Sequence, residues 1–271
     1  MIRLRADSDR LRRMLRRREV EAVLRDVPDD VFEDVLELGA GDGAQSRLIA
    51  HSARMVLCTD LNEERLVLDP HPKITYGICD AEDMPYEAAR FDLIYSSNVF
   101  EHLPHPDRAL SELHRVLRDD GVMVHVIPNR FWKLLQLALF YPTQVVTAAE
   151  IVLPGRPARK NEARPSRGNN LSSDGPSFLR RNIWPPVHGE YTGHVSEFMG
   201  MGGTFWKRKF EEGGFDLAGR IRGLPAHSPY RFGLEWPRRA TESLGLSSCN
   251  GYVLTKRGYE SSVARLLVSG R

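Results

Sequence analysis

The residues with the clearest chemical potential are three acids and a glycine-rich turn. Glu37 lies in a predicted strand that runs into Gly39–Gly43, and Asp60 and Asp80 end the next two predicted strands. Glycines let a backbone turn sharply and approach a ligand closely, because they have no Cβ. A helix predicted from Ala44 places free N–H groups at this turn. These features together predict a nucleotide-type ligand site.

The glycine turn leaves the identity of the nucleotide open. Gly39, Gly41 and Ala44 also fit the G-x-G-x-x-G/A pattern of dinucleotide-binding proteins. Asp60 follows at about twenty residues, the position of an acid that binds ribose hydroxyls in either case. Asp60 could instead cap a helix beginning at Asn62. The turn therefore predicts half of a Rossmann-like fold and leaves the identity of the cofactor open.

Strands and helices alternate from residue 31 to residue 128, the pattern of a parallel sheet with helices on both faces. The predicted strands are Val35–Leu38, Met55–Thr59, Lys73–Ile78, Phe91–Tyr95 and Val122–Ile127. A short helix is predicted over Asn62–Leu68, and a turn at Asp120–Gly121. Farther along the chain, Thr204 is expected to cap a helix. Two more strands, Phe215–Arg222 and Tyr252–Thr255, complete the predicted elements.

Three segments follow from this pattern. Residues 1–30 are predicted to form a basic helical segment, and residues 31–128 and 191–258 the nucleotide-binding domain. Residues 129–190 interrupt the alternation and are predicted to form a lid-like insertion after the fifth strand. This insertion combines the apolar run Phe131–Tyr141 with basic residues, namely Arg156, Arg159, Lys160, Arg164, Arg167, Arg180 and Arg181.

The combination of apolar and basic residues in the insertion has two interpretations. It suits an acceptor with an apolar part and a phosphate or carboxylate, or a peripheral contact with an anionic membrane surface. It also suits an apolar helix that covers the core beside a solvated basic loop. Polar residues interrupt the apolar window, so a membrane-spanning helix, which needs about 20 mostly apolar residues, is not expected.

Composition narrows the partners and the compartment. The 271 residues carry a formal net charge of +2, which gives no bulk electrostatic attraction to nucleic acid. The three cysteines, Cys58, Cys79 and Cys249, lack close-pair spacing. They are expected to be reduced core thiols of a cytoplasmic protein.

Further motifs distinguish between the possible nucleotide-type cofactors. These motifs, Val35–Gly43, Gly77–Pro85, Phe91–Leu103, Ala109–Leu117 and Asp120–Asn129, occur in this order. Together they resemble the class I S-adenosylmethionine-dependent methyltransferases, in particular the small-molecule, type 11-like branch. The resemblance covers residues 33 to 129 well and residues 190–256 more weakly. It implies S-adenosyl-L-methionine as cofactor and a seven-stranded sheet in which only the strand inserted last is antiparallel.

The resemblance also implies roles for matching positions. The implied cofactor-binding residues are Glu37, Gly39, Ala40, Gly41, Asp60, Leu61, Asp80, Ala81 and Ser97. Glu37 and the glycine turn would face the methionine part of the cofactor, and Asp60 would bind the ribose. Asp80 and Ala81 would bracket the adenine. Ser97 would lie beside the sulfonium.

Three histidines are candidate catalytic residues. His102 follows the fourth strand, where a base could remove a proton from an acceptor hydroxyl. His188 and His194 lie between the insertion and the next helix, and either could contact the substrate or act as base. Glu101 is a weaker candidate and is expected to be solvated. No metal site is predicted, because the spacing of His188 and His194 is not a usual ligand pattern.

The favoured function is methyl transfer to a small-molecule or lipid-linked acceptor, on a hydroxyl of a sugar or glycolipid precursor. A similar Phe-Trp-x-Leu-Leu insertion in polysaccharide-cluster methyltransferases supports this acceptor class. The alternatives are C-methylation of a quinone or isoprenoid, a catalytically inactive S-adenosylmethionine-binding scaffold subunit, and an NAD-dependent dehydrogenase. A cytoplasmic location is expected, with contact at the inner membrane face if the insertion binds lipid.

Overall fold

A single seven-stranded sheet organises the molecule. The computed structural model describes residues 8–152, 184–226 and 235–268. The strands are β1 Phe32–Leu38, β2 Ala53–Asp60, β3 Ile74–Ile78, β4 Phe91–Ser97, β5 Leu117–Pro128, β6 Phe215–Ile221 and β7 Cys249–Lys256. Their spatial order is β3-β2-β1-β4-β5-β7-β6. Strands β1 to β5 pair in parallel, and β7 is antiparallel to both β5 and β6. The predicted Rossmann-like, mostly parallel sheet is confirmed.

Helices cover both faces of this sheet. They are α1 Ser8–Val23, α2 Ala44–Ile49, α3 Pro106–Val116, α4 Arg130–Val152, α5 His194–Gly200, α6 Gly203–Glu212, α7 Glu235–Ser243 and α8 Ser262–Val268. Successive strand residues point to opposite faces. Val35 therefore packs in the cluster that includes residues of α1, α2 and α8, and Leu36 in the cluster with α3 and α6.

The strand register places the predicted cofactor residues side by side. Leu38 of β1 pairs with Thr59 of β2 and with Ser96 of β4. The residues that follow these three, Gly39, Asp60 and Ser97, therefore end neighbouring strands at the same level of the sheet. This carboxyl edge is where open α/β sheets bind their ligands.

Local details differ from three predictions. The helix expected over Asn62–Leu68 is a 3-10 turn limited to Glu63–Arg65, because Leu66 already adopts an extended conformation. Helix α6 has Gly202 as its N-cap, so Thr204 lies within the helix and does not cap it. Asp120–Gly121 lies within β5, in an irregular stretch of the pairing with β4, and does not precede the strand.

The insertion begins with α4, which is longer than the predicted apolar run. The basic residues between Arg156 and Arg181 lie outside the described part of the chain. Among the described residues, no helix combines the length and the apolar character needed to cross a bilayer. All three cysteines are buried and free.

Candidate functional site

The turn after β1 depends on glycine for its conformation. Gly39, Gly41 and Gly43 have φ values of 65°, 59° and 68°, in the left-handed region that side chains rarely adopt. A Cβ on Gly39 would also lie 2.5 Å from Val99 Cγ2. The turn therefore packs directly against the segment that follows β4.

Four backbone amides in and beside this turn already have protein partners. Ala40 N donates to Thr59 O at 2.8 Å, and Gly43 N donates to Ala40 O at 3.1 Å. Gly41 N donates to the Asp60 carboxylate at 2.9 Å, and Ala44 N donates to Asp42 at 3.3 Å. A pyrophosphate would need such amides free at the start of the helix. The geometry favours a nucleoside without a pyrophosphate over a dinucleotide.

Asp60 ends β2 and is almost fully buried, with 2% of its surface exposed. Besides the Gly41 amide, its carboxylate accepts from Asn62 N at 3.0 Å and lies 3.6 Å from an Arg65 guanidinium nitrogen. Leu61, the next residue, is exposed. The carboxylate is thus held rigidly beside the glycine turn, with an apolar side chain next to it.

The adjoining strand end supplies Asp80 and Ala81. Cys79 N donates to Asp60 O at 3.3 Å, which joins the ends of β3 and β2. Asp80 is exposed and accepts from Glu82 N at 2.9 Å, whereas Ala81 is buried. An exposed carboxylate beside a small apolar residue has the chemistry to bind an exocyclic amine at the edge of a base.

Glu37 lies deeper than the other acids. It is buried, and its carboxylate accepts a hydrogen bond from the Ser46 hydroxyl of α2. Burial raises the pKa of Glu37 to about 7, although the Ser46 bond and Arg16 oppose this shift. In the structure, Glu37 therefore links β1 to α2 directly beneath the glycine turn.

Arg16 of α1 also lies at this edge, although no sequence pattern singled it out. Its guanidinium donates to the Ser97 hydroxyl. With the Asn98 amide oxygen turned toward it, it also donates to that oxygen at 2.6 and 2.5 Å. It lies 3.3 Å from the buried carboxylate of Glu19. Helix α1 thus brings a cation to the end of β4, and the sequence signal for it is only one arginine among many in an amphipathic helix.

A buried polar network supports Arg16. The Glu19 carboxylate accepts from Gln45 at 3.0 Å and from the Tyr95 hydroxyl at 2.9 Å. Burial lowers the pKa of Arg16, but Glu19 more than offsets this effect, so the pKa is raised. Burial likewise opposes ionisation of Glu19, yet Arg16 and its hydrogen-bond partners keep its pKa lowered. The pair is ionised and anchors α1 to the sheet.

Two of the three candidate histidines meet at the same edge. The rings of His102 and His188 are 4.6 Å apart, and Trp132 of α4 lies 4.7 Å from His188. Between them stands Glu101, whose side chain is fully buried, in contrast to the solvated position expected from the sequence. The reason is that the loop before α5 folds over it, with Glu190 N donating to Glu101 O at 3.0 Å. Burial lowers the pKa of His102, which Glu101 partly offsets.

His194 belongs to a different cluster. It begins α5, and its Nδ1 lies 3.8 Å from the Glu197 carboxylate. Glu197 is paired with Lys133 of α4, and the side chains of both are fully buried. Lys133 also donates to Gln136 at 2.5 Å. This arrangement joins α4 to α5.

Comparison with known proteins identifies the domain type. Residues 36–125 match the family model described as a methyltransferase domain. A protein of Mycobacterium tuberculosis (strain CDC 1551 / Oshkosh), named "Probable S-adenosylmethionine-dependent methyltransferase", is 33% identical over 105 residues, which cover 38% of each chain. The ubiquinone/menaquinone biosynthesis C-methyltransferase UbiE of Ralstonia pickettii (strain 12J) is 30% identical over 113 residues, covering 38% of this chain and 46% of that protein. The chain thus spans less than half the length of these curated relatives.

A solved structure extends the likeness over nearly the whole chain. The methyltransferase solved in complex with the Trm112 methyltransferase activator of Haloferax volcanii has a TM-score of 0.55 at 14% identity. The match covers 92% of this chain and 94% of that one. At this identity the likeness shows the fold alone.

Proposed function

We propose that this chain, in which residues 36–125 match the methyltransferase domain family, is an S-adenosylmethionine-dependent methyltransferase acting on a hydroxyl of a small or lipid-linked acceptor. The observation that carries the proposal is the carboxyl edge of the sheet. There the buried carboxylate of Asp60 is held against a glycine-rich turn in which the amides of Ala40, Gly41 and Gly43 are bonded within the protein.

The residues at this edge suit the groups of that cofactor. Asp60 can accept from ribose hydroxyls, and Asp80 and Ala81 can contact the adenine beside the exposed Leu61. Arg16, at Ser97, offers a cation for the carboxylate of the methionine part. When bound, S-adenosylmethionine supplies an electrophilic methyl group on a sulfonium. The remaining task of the protein is to align the acceptor, exclude water and handle a proton.

We propose that this proton is removed by the group formed by Glu101, His102 and His188. A neutral hydroxyl is a weak nucleophile, so its proton must be removed or its oxygen polarised. Glu101 and His102 follow the end of β4, where the Ser97 hydroxyl accepts from Arg16 and Val99 packs against Gly39. This proximity supports a position for the histidine pair beside the methionine end of the cofactor.

Helix α4 supports an apolar or lipid-linked acceptor. Its buried face includes Trp132 and Phe140, whereas an opposite stripe is exposed. The exposed stripe consists of Leu134, Leu137, Tyr141 and Val145. We propose that it contacts the apolar part of the acceptor, or the membrane in which that acceptor resides.

Carbon methylation of a quinone is the second candidate. The similarity to the C-methyltransferase UbiE, which covers 38% of this chain, supports this candidate. An enolised carbon nucleophile would need less help with a proton than a hydroxyl does. The two candidates therefore differ in how strongly turnover depends on the histidine pair.

Transfer of a labelled methyl group to a panel of acceptors tests the proposal. The panel contains hydroxylated sugars, a lipid-linked sugar and a quinol. His102→Gln should lower turnover with little change in binding of S-adenosylhomocysteine. His105→Gln, at an exposed histidine nearby, is the control and should leave both unchanged. Labelling of the quinol alone would select the second candidate, and the absence of transfer to any acceptor class would count against an active enzyme.

A further inference from the structure

The carboxylate of Glu101 is the most unusual buried group in the described part of the molecule. Its side chain has no exposed surface, and neither oxygen has a hydrogen-bond partner among the described residues. An ionised carboxylate without compensation is costly to bury, because it loses its hydration. A positive charge in its surroundings, or a proton on the carboxylate itself, must therefore balance it.

Two imidazole nitrogens face this carboxylate. His188 Nε2 lies 3.6 Å from Glu101 Oε1, and His102 Nε2 lies 3.9 Å from the same oxygen. The three potential ligand atoms all lie within 4.8 Å of one another. These distances are too long for hydrogen bonds, yet they leave the three atoms pointing at a common space.

We propose that Glu101, His102 and His188 bind a divalent first-row transition-metal cation of the Zn²⁺ type. Two histidines and one carboxylate are the ligands that such ions prefer, and three protein ligands leave a position open for a further oxygen. An ion about 2.0–2.2 Å from each ligand requires ligand atoms about 3.3–3.6 Å apart in a tetrahedral arrangement. The two separations from Glu101, 3.6 and 3.9 Å, are near this value, and the ligand atoms must move closer together where they are farther apart, up to 4.8 Å.

The backbone around the cluster is arranged to bring the third ligand into place. Gly189 has a φ of 73°, and a Cβ there would lie 2.3 Å from Glu101 O. Together with the hydrogen bond from Glu190 N to that oxygen, this close approach seats the loop directly on Glu101. His188 is thereby held over the carboxylate, and Trp132 packs against its ring. The sequence singled out these residues separately but did not join them into one site, since His188 is far from Glu101 in the chain.

The open position indicates what the ion would do. It would coordinate the hydroxyl oxygen of the acceptor and lower the pKa of that hydroxyl, so that the proton passes to solvent water without a free imidazole base. The oxygen would then form its bond to the methyl carbon as the carbon–sulfur bond of the sulfonium breaks, which leaves S-adenosylhomocysteine. The chemical class that fits is a hydroxyl with a second oxygen donor beside it, such as a vicinal diol or a catechol. This assignment of the acceptor rests on the proposed methyl transfer, whereas the metal site rests on the geometry of the three side chains.

Titration of the chelator-treated protein with Co²⁺ tests the site without a methyl donor. The wild-type protein should bind one ion with visible d–d absorption, and Zn²⁺ should abolish these bands and raise the thermal denaturation temperature. Glu101→Gln, His102→Ala and His188→Ala should each weaken Co²⁺ binding by about tenfold or more. His105→Ala should bind like the wild type, and Glu101→Asp should retain part of the affinity.

Two outcomes overturn the metal site. One is the absence of Co²⁺ bands in the folded wild-type protein, which would mean that no metal ion balances Glu101. The other is binding that survives all three substitutions. Because no methyl donor is present, Co²⁺ binding without methyl transfer contradicts only the proposed function. Methyl transfer without Co²⁺ binding contradicts only the metal site.

Discussion

Replacement of Asp60 by asparagine separates its structural role from its proposed role in binding. The carboxylate accepts hydrogen bonds from Gly41 N and Asn62 N, one on each oxygen. An asparagine side chain has one oxygen in place of two, so it can accept only one of these hydrogen bonds. Its NH₂ group then faces the other backbone N–H. An unsatisfied buried donor costs about 1–3 kcal/mol, and we expect a loss of stability of that size.

The loss of cofactor affinity should be a separate effect. If Asp60 binds a ribose hydroxyl, the substitution replaces a charge-assisted hydrogen bond worth about 1.5–3 kcal/mol. At 1.4 kcal/mol for each factor of ten, the dissociation constant of S-adenosylhomocysteine should rise about 10- to 150-fold. Calorimetric titration at a temperature where both proteins are folded measures this change, and urea denaturation measures the stability.

A matched control is available on the adjoining 3-10 turn. Glu63 is an exposed acid three residues from Asp60, and Glu63→Gln removes the same charge without touching the glycine turn. It should change neither quantity. If Asp60→Asn loses stability while its affinity for S-adenosylhomocysteine equals that of the wild type, Asp60 only anchors the turn and the ribose assignment is refuted.

Two further predictions concern buried ionisable groups. Burial lowers the pKa of His125 to about 3, so the folded protein cannot take up the proton that the unfolded chain binds below its ordinary pKa of 6.5. Its contribution to stability is therefore complete above pH 6.5 and is lost as the pH falls. Urea denaturation should show about 2 kcal/mol less stability at pH 5 than at pH 6.5. The His125→Gln variant should lose less stability over this range. An equal loss in both proteins would show that His125 is not the source of the pH dependence. Lys133→Met should destabilise the protein by about 3–5 kcal/mol, because it leaves Glu197 buried without its cation. The double variant Lys133→Met, Glu197→Leu should regain most of this loss, and a double variant as unstable as the single one would show that the pair itself is not the cause.

The strands could be predicted because each signal lies within one short segment. Val35, Leu36 and Leu38 are apolar neighbours that end at glycines, and parallel pairing then brings the following strand ends to one edge. The resemblance carried by the motifs of the first half of the chain implied that one strand is antiparallel, a direction that the strand pattern alone does not give. The element bounds were less predictable, as Thr204 and the residues after Arg65 show, because capping depends on local backbone geometry.

The acceptor side of the site could not be predicted, because it is assembled from distant segments. The sequence around Glu101 does not show that it is buried, because the loop from His188 to Glu190 that packs on it comes from a distant segment. Arg16 has the same chemistry as the other arginines of α1, and only helix packing selects it to face Ser97. Such roles depend on tertiary contacts that no local pattern records.

The position of the methyl donor is the central claim, and calorimetric titration of the full chain with S-adenosylhomocysteine and with NAD tests it most directly. The bonded amides of the glycine turn and the buried Asp60 predict one-to-one binding of S-adenosylhomocysteine in the micromolar range and no binding of NAD. Binding of NAD in the absence of any binding of S-adenosylhomocysteine would contradict the account.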